Sequence, residues 1–487
     1  MKQSLSARAD EATSGPRSSR ALMALVLMGG TLIGGCAVNP ATGERQLMFM
    51  SRDQEIDIGR SNDVQIVAQM GLYPDSSMQR YVRGLGERLA ATSEMPDLPW
   101  TFRVLDDPAI NAFALPGGFV YVTRGIMAHM TSEAQLVGVL GHEIGHVTAR
   151  HGANQASRAQ LAQVGLIAGA VFSETIAENI GLAGGLTGLL FMKFGRDDES
   201  QADALGIRYM TRLSYDPREL AGVMRMLDRS SGPDGGRLPE WQSTHPDPAN
   251  RVTAILDQVD RDGVPANPIV EAASFVNRMD GVTFGVNPRE GFIEDRTFHH
   301  PELAFRFTIP SGWQLQNTKQ AVLTGSDAAQ VVLTLEAGTA NEAFTRFRGL
   351  EGITISAAGQ DQINGLSAWV GRFTATTSDG SFRGLVAFVE MDGNTYRLMG
   401  LTTPAGWNAN RVALESTVMS FARETDGDIL ARQPNRLDVV TLRSATALSD
   451  FMSRQPSVVG AGVVGLINQV AEADGVLGPG AVKRVVR

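Results

Sequence analysis

EAQLVGVLGHEIGHVTARH, residues 133–151, is the stretch around which the rest of the chain is organised. Leu136, Val137, Leu140, Ile144 and Val147 recur at three- and four-residue steps, which predicts one amphipathic helix over 133–151. His142 and His146 stand one turn apart and leave the same face, with Glu143 beside the first. Two neutral imidazoles converging on a point can share a metal, and the usual occupant is Zn²⁺. A metal of that kind acidifies water, and an adjacent carboxylate can take the proton and pass it to a leaving amine. Glu143 is the natural candidate for that carboxylate. Histidine is scarce, seven in the chain, so the full His-Glu-x-x-His pattern on an apolar helix is not a chance surface pair.

A catalytic zinc takes three protein ligands, so a third must come from elsewhere. Position 152, where one class of such proteins carries its third histidine, is Gly152. His151 lies five residues past His146, about 500° around a continuous helix, so it is expected to be structural or to support a ligand. The better source is RDDESQADALG, residues 196–206. There Glu199 and Asp203 share a helix face, so one carboxylate can reach the metal while the other accepts a hydrogen bond from a ligating imidazole.

The totals bound the rest. A chain of 487 residues is long enough for two to four domains, and a formal charge of −9 argues against a nucleic-acid partner, because phosphate binding wants a basic surface. One cysteine permits no internal disulfide. That cysteine, Cys36, ends an apolar run, ALMALVLMGGTLIGG, which follows a polar start carrying Lys2, Arg8, Arg17 and Arg20. The run suits a signal-peptide core, and Ile33-Gly34-Gly35-Cys36 resembles a bacterial lipoprotein signal with Cys36 lipidated. Ala37 after the cysteine suggests the periplasmic face of the outer membrane, with the chain held to the membrane by its lipid.

Residues 53–91 are expected to be helical with a break at Tyr73-Pro74-Asp75, and 100–105 alternate as a strand. NAFALPGGFVYV, residues 111–122, leads through a Pro-Gly-Gly turn into a second strand. Gly118, Phe119, Val120 and Tyr121 are the expected edge on which a substrate peptide is laid by main-chain hydrogen bonds. Residues 152–194 are rich in glycine and apolar groups but broken by Glu174 and Glu178, so they read as packed helices with a flap around 181–188.

HEIGHVTARH followed by ESQADALG, with NAFALPGGFVYV ahead of them, resembles the M48 family of zinc endopeptidases, and the lipoprotein start is similar to that of its periplasmic quality-control branch. The resemblance implies that His142, His146 and Glu199 bind one Zn²⁺, that Glu143 is the general base, and that Asp203 supports the ligands. STHPDP, residues 243–248, with Arg251 resembles the family's His-Pro segment near the metal. By that likeness His245 and Arg251 join the catalytic set, His245 either donating to the oxyanion or coordinating zinc in a resting state.

Beyond residue 262 the pattern changes. Strand signals separated by Asp379-Gly380 and Asp392-Gly393 turns, with helical stretches at 342–349 and 408–423, predict a sheet with helices on one side. Residues 437–487 resemble a LysM module, with Ser444-Ala445-Thr446 where Gly-Asp-Thr is usual, and the likeness implies peptidoglycan as a ligand. The expected class is therefore α+β: a mainly helical zincin-type domain with a small edge-strand sheet, an α+β domain, and a small β-α-α-β module. The expected divisions are 1–36 signal, 37–52 tether, 53–262 protease, 263–298 linker, 299–425 accessory domain and 435–487 LysM-like module. The function these readings imply is zinc-dependent cleavage of misfolded or misassembled envelope proteins. An envelope chaperone or a cell-wall scaffold with incidental proteolysis is the alternative.

Overall fold

The computed structural model describes residues 36–158, 193–231, 240–377, 380–471 and 475–487. All but the last residue of the expected 1–36 signal, and the expected flap at 181–188, lie outside these residues. The predicted tether is instead a hairpin, in which β1 (Cys36–Val38) pairs antiparallel with β2 (Arg45–Leu47). It is pinned to the body by Gln46 Nε2 donating to Ala149 O at 3.3 Å and by Phe49 N donating to Ser157 Oγ at 3.1 Å.

Two helices follow. In α1 (Arg52–Met70) Ser51 and Gln54 form a capping box, and α2 (Ser76–Ala91) starts where the Asp75 carboxylate accepts from the N–H groups of Ser77 and Met78. Met78, Val82, Leu85 and Leu89 give α2 one buried stripe. That stripe packs on a three-stranded sheet of β3 (Thr101–Leu105), β4 (Ala112–Leu115) and β5 (Phe119–Thr123).

The order in that sheet is β3-β5-β4, with β5 parallel to β3 and antiparallel to β4. This corrects the expected substrate edge. Phe119, Val120 and Tyr121 lie on the central strand, with backbone partners on both sides, and Gly118 O accepts from Thr101 N at 2.8 Å. The outer strand nearest the histidine helix is β4.

After the short α3 (Arg124–His129), Ser132 caps α4 (Glu133–Thr148) by accepting from Gln135 N. The helix is not amphipathic: every residue from Ala134 to Thr148 is buried, as in a helix at the centre of a domain. Burying Leu136, Val137, Leu140 and Ile144 stabilises the fold by about 1.5–3 kcal/mol each. The helix also ends earlier than predicted. Arg150 adopts φ 58°, held there by its guanidinium, whose Nε donates to Glu55 Oε1 at 2.8 Å and whose Nη2 donates to Met50 O at 2.9 Å.

Against α4 lies α5 (Arg196–Arg212), and the contact is made by small residues. A Cβ on Gly141 would meet the Gly206 backbone at 3.2 Å, and one on Gly145 would meet Ala202 O at 3.0 Å. Only glycine at those positions lets the helix axes approach this closely, so the carboxylates of α5 reach the imidazoles of α4. The body is completed by α6 (Arg218–Ser230), α7 (Glu240–Thr244), α8 (Pro248–Asp262) and α9 (Ala272–Arg278).

Beyond α9 the chain forms a meander of β6 (Phe292–Glu294), β7 (Thr297–His300) and β8 (Phe305–Thr308). It continues as a seven-stranded antiparallel sheet built from β9 (Gln314–Asn317), β10 (Ala321–Ser326), β11 (Ala329–Glu336), β12 (Ile353–Ile363), β13 (Leu366–Thr377), β14 (Gly380–Met391) and β15 (Asn394–Thr402), in the order β12-β13-β14-β15-β11-β10-β9. Its helices lie on opposite faces, not on one. Along β14, Leu385, Ala387 and Val389 pack with Leu414 and Val418 of α11 (Trp407–Met419), while Val386 and Phe388 pack with Phe344 and Phe347 of α10 (Ala340–Arg348). Period-two alternation in a strand apolar on both faces is the reason.

The last segment has the predicted order: β16 (Arg436–Leu442), α12 (Leu448–Arg454), α13 (Ala461–Ile467) and β17 (Gly480–Val486), with the two strands antiparallel. It is not free-standing. Leu437, Ile467 and Val485 belong to the same hydrophobic core as α4, and the fully buried Lys483 donates from Nζ to Ala128 O at 2.7 Å and Met130 O at 2.6 Å.

Candidate metal centre

His142 and His146 present their Nε2 atoms 3.1 Å apart. Glu199, on α5, places Oε2 3.6 Å from His142 Nε2 and Oε1 3.6 Å from His146 Nε2. His245 follows α7 directly, and its Nδ1 sits 3.4 Å from His142 Nε2 and 2.9 Å from Glu199 Oε1. One ligand atom from each of these four residues lies within 4.8 Å of every other, and all four residues are buried.

This set fits a tetrahedral ion. Bonds of about 2.0–2.1 Å from a tetrahedral centre place neighbouring ligand atoms about 3.3 Å apart, close to the spacings here. Two buried oxygens also lack hydrogen-bond partners, Glu143 Oε1 and Glu199 Oε2, as expected where a cation and a water complete the site. His245 Nε2 is 3.8 Å from Glu143 Oε1.

Behind the ligands is an ion-pair clamp. His142 Nδ1 donates to Asp203 Oδ1 at 3.0 Å, and Asp203 is gripped by both arms of Arg251, Nε to Oδ2 at 2.8 Å and Nη2 to Oδ1 at 2.6 Å. Arg251 Nη1 also lies 2.6 Å from Glu199 Oε2, an ion-pair contact not aligned as a hydrogen bond. Arg251 is therefore bound to the carboxylates of α5, which makes it a positioning group.

Charge at the site follows from burial set against these partners. Burial would raise Asp203 and Glu199, but Arg251 and the imidazoles hold both below the usual carboxylate range. Burial pushes Glu143 up to about 7, with Glu199 adding to the rise and His245 opposing it. Burial lowers His142 and His146, keeping both neutral as ligands require, whereas Glu199 and Glu143 raise His245 in spite of burial.

Two neighbours were not anticipated. Trp241 stacks on His245 with ring centroids 4.2 Å apart, and Phe194 stacks on His146 at 4.1 Å. Phe194 N donates to Thr244 O at 3.0 Å, which ties the start of α5 to the His245 segment. Trp241 has a weak signal in sequence, an aromatic residue one helical turn before His245; Phe194 has none. His151, expected to point away, returns to meet His146 because the chain turns at Arg150. Gly118, Phe119, Val120 and Tyr121 do not line the narrow cavity that Ala114 and Leu115 of β4 form with His146 and Phe194. Cys36 opens β1, at the end of the hairpin away from its turn, opposite Leu47.

A His-Glu-x-x-His helix locked to a second helix by facing glycines, with a carboxylate brought to the paired imidazoles, is the framework of a metal-dependent peptidase. Residues 76–259 match Peptidase family M48. Among relatives, the Beta-barrel assembly-enhancing protease of Yersinia pestis is 32% identical over 224 residues, covering 44% of this chain and 46% of that protein. The same-named protein of Escherichia coli strain K12 is 31% identical over 224 residues, covering 44% and 45%. The Mitochondrial metalloendopeptidase OMA1 of Schizosaccharomyces pombe is 34% identical over 180 residues, covering 36% and 51%. The chain thus spans about half the length of these relatives.

Proposed function

We propose that this chain is a zinc-dependent endopeptidase acting on misfolded or misassembled proteins of the cell envelope, tethered to the membrane through Cys36. The observation that carries the reading is the spacing of His142, His146 and Glu199 around one point, with the unpartnered Glu143 Oε1 beside it. Zn²⁺ bound there supplies Lewis acidity, polarising a scissile carbonyl and making water acidic enough to lose a proton at neutral pH. Glu143 receives that proton on Oε1 and returns it to the leaving amine; a carboxyl pushed up to about 7 is matched to both steps. Burial keeps His142 and His146 neutral, and what their Nδ1 atoms meet aims them. Asp203 and Arg251 keep Glu199 and His142 in place.

His245 occupies the fourth corner of the cluster, which supports the resting-ligand role. In that state the site is shut, since His142, Glu143, His146, Glu199 and His245 are each at most 3% exposed. Release of His245, with Trp241 and Phe194, opens the corner and leaves an imidazole able to donate to an oxyanion. The outer strand β4 takes over the substrate-binding role expected of β5, because its far side is not used by a strand of the described sheet. The relatives named for β-barrel assembly, with the lipoprotein-like start, support envelope proteins as substrates.

The test is zinc content and casein cleavage for the parent chain and Glu143→Gln. Zinc retained with cleavage lost supports the reading. A parent chain without stoichiometric zinc, or undiminished cleavage by Glu143→Gln, refutes it; full envelope function in a cleavage-dead variant would favour a chaperone.

A further inference from the structure

The two ligand imidazoles are backed differently. His142 Nδ1 meets an ionised carboxylate, but His146 Nδ1 lies 2.9 Å from Nδ1 of another imidazole, His151. Two ring nitrogens in contact need one proton between them, and a wrong choice would leave His146 without a lone pair toward the cluster. The choice is made further along. His151 Nε2 is 2.9 Å from Gln201 Oε1, and Asn39 Nδ2 is 3.2 Å from the same oxygen.

Asn39 sits in the β1–β2 turn and is 3% exposed. Its amide oxygen accepts from the backbone N–H groups of Ala41 at 2.9 Å and Thr42 at 3.3 Å. A backbone N–H can only donate, so the Asn39 amide has one orientation, oxygen to the turn and Nδ2 to Gln201. Gln201 must then present oxygen, which requires a proton on His151 Nε2. The lone pair of His151 is left on Nδ1, where it accepts from His146 Nδ1–H. The lone pair of His146 is thereby fixed on Nε2, the atom that faces His142 and Glu199.

We propose that Asn39, Gln201 and His151 form a relay that fixes the proton of His146 and so presets it as an Nε2 metal ligand, making the N-terminal hairpin a working part of the metal centre. Arg150 is what makes the relay possible, since its positive φ turns the chain and brings His151 back over His146. The inference rests on the metal reading above. In it His151, Gln201 and Asn39 are positioning residues, and none of them touches substrate.

The experiment measures Zn²⁺ affinity by chelator competition and the visible spectrum of the Co²⁺-loaded chain, with melting of the metal-free chain as the folding control. Asn39→Asp keeps the size of the side chain and its bonds to the turn but sets an oxygen against Gln201 Oε1. Gln201 then reverses its amide, the proton of His151 moves to Nδ1, and two N–H groups oppose each other. Zn²⁺ affinity is expected to fall about 10- to 100-fold, with an altered Co²⁺ spectrum and an unchanged metal-free melt. Gln201→Lys, which can only donate, imposes the same reversal from a half-buried position should Asn39→Asp fail to fold, and is expected to lose affinity likewise. Gln201→Glu, which can only accept, is expected to keep parental affinity. So is Gln46→Ala, which removes a contact of the hairpin outside the relay.

Parental affinity and spectrum in folded Asn39→Asp or Gln201→Lys overturn the proposal. So does a loss in Gln46→Ala equal to that in Asn39→Asp, because hairpin docking alone would then account for both. A parent chain that binds neither metal refutes the metal reading itself and the relay with it.

Discussion

Arg251→Met removes the one cation that serves two buried carboxylates. The side chains of Arg251, Glu199 and Asp203 are 7%, 2% and 6% exposed, so solvent cannot take over its role. Taking away one partner of such a pair costs about 3–5 kcal/mol, because the other is left charged and unsolvated. Both the metal-free and the loaded forms are therefore expected to melt lower, and the melting shift produced by zinc should narrow as its affinity falls.

The effect on zinc affinity has two opposed parts. Removing a positive charge from beside Glu199 favours a cation, while freeing Asp203 loosens His142. Two buried carboxylates without Arg251 cannot both stay ionised, and Asp203, which does not reach the metal, is the one that takes up a proton. That uptake cancels the charge gained and replaces an anionic acceptor for His142 Nδ1–H with a neutral one, so affinity falls, by about 10- to 100-fold as for other groups supporting a ligand. Arg251→Lys keeps the charge without the two-armed grip and should lie between. The assay is chelator competition together with melting of loaded and metal-free protein. Zinc binding by Arg251→Met as tight as the parent's, with an unchanged metal-free melt, would show that the clamp does not govern the site.

Gly141→Leu drives a side chain into the Gly206 backbone, which has nothing flexible to yield, and is expected to cost about 1–3 kcal/mol or more and to abolish zinc binding; a parental melt would refute the close-approach argument. His245→Ala should change casein turnover while zinc is retained; metal loss equal to that of Glu199→Ala would make His245 an obligatory ligand. Burial pushes Lys483 from 10.5 down to about 7, so between those values the unfolded chain holds a proton that the folded chain does not. Stability of the docked C-terminal segment should therefore rise from pH 7 to pH 10, by at most about 5 kcal/mol, since the two carbonyls it meets favour the charged form. Protease nicking of the segment across that range checks it, and Lys483→Met should remove the pH dependence.

The site was legible where chemistry is local. His142, Glu143 and His146 are fixed by helical periodicity alone, and the spacing of Glu199 and Asp203 is fixed in the same way on α5. Which of the two carboxylates meets the metal is not local. It is set by the register in which Gly141 and Gly145 pass Ala202 and Gly206, and a glycine in sequence does not say what it must approach. The β5 edge failed for a similar reason. A run of β-branched and aromatic residues marks a strand, but whether a strand is central or outer depends on its neighbours, and Phe119–Thr123, buried at every position, is the signature of a central one. The C-terminal module was recognised in its order of elements and missed in its placement, since Leu437, Ile467 and Val485 look the same whether they fill a small core or join a large one.

His151 is the most instructive case. A continuous helix would carry it away from His146, and the sequence offers no proline or glycine between the two histidines to end the helix. The helix ends there because Glu55, in the first turn of α1, holds Arg150 in a conformation that a non-glycine residue seldom adopts. One buried ion pair between α1 and the end of α4 thus decides whether His146 has a neighbour for its second nitrogen. The metal centre accordingly extends from the catalytic helix through Arg150 and His151 to the hairpin at Asn39, and substitutions at Glu55 should weaken metal binding without any contact to the ligands. Glu55→Gln keeps a neutral acceptor but loses the charge that holds the turn, so a fall in Zn²⁺ affinity comparable to that of Asn39→Asp is expected, and parental affinity in Glu55→Gln would mean that the turn at Arg150 holds without the pair.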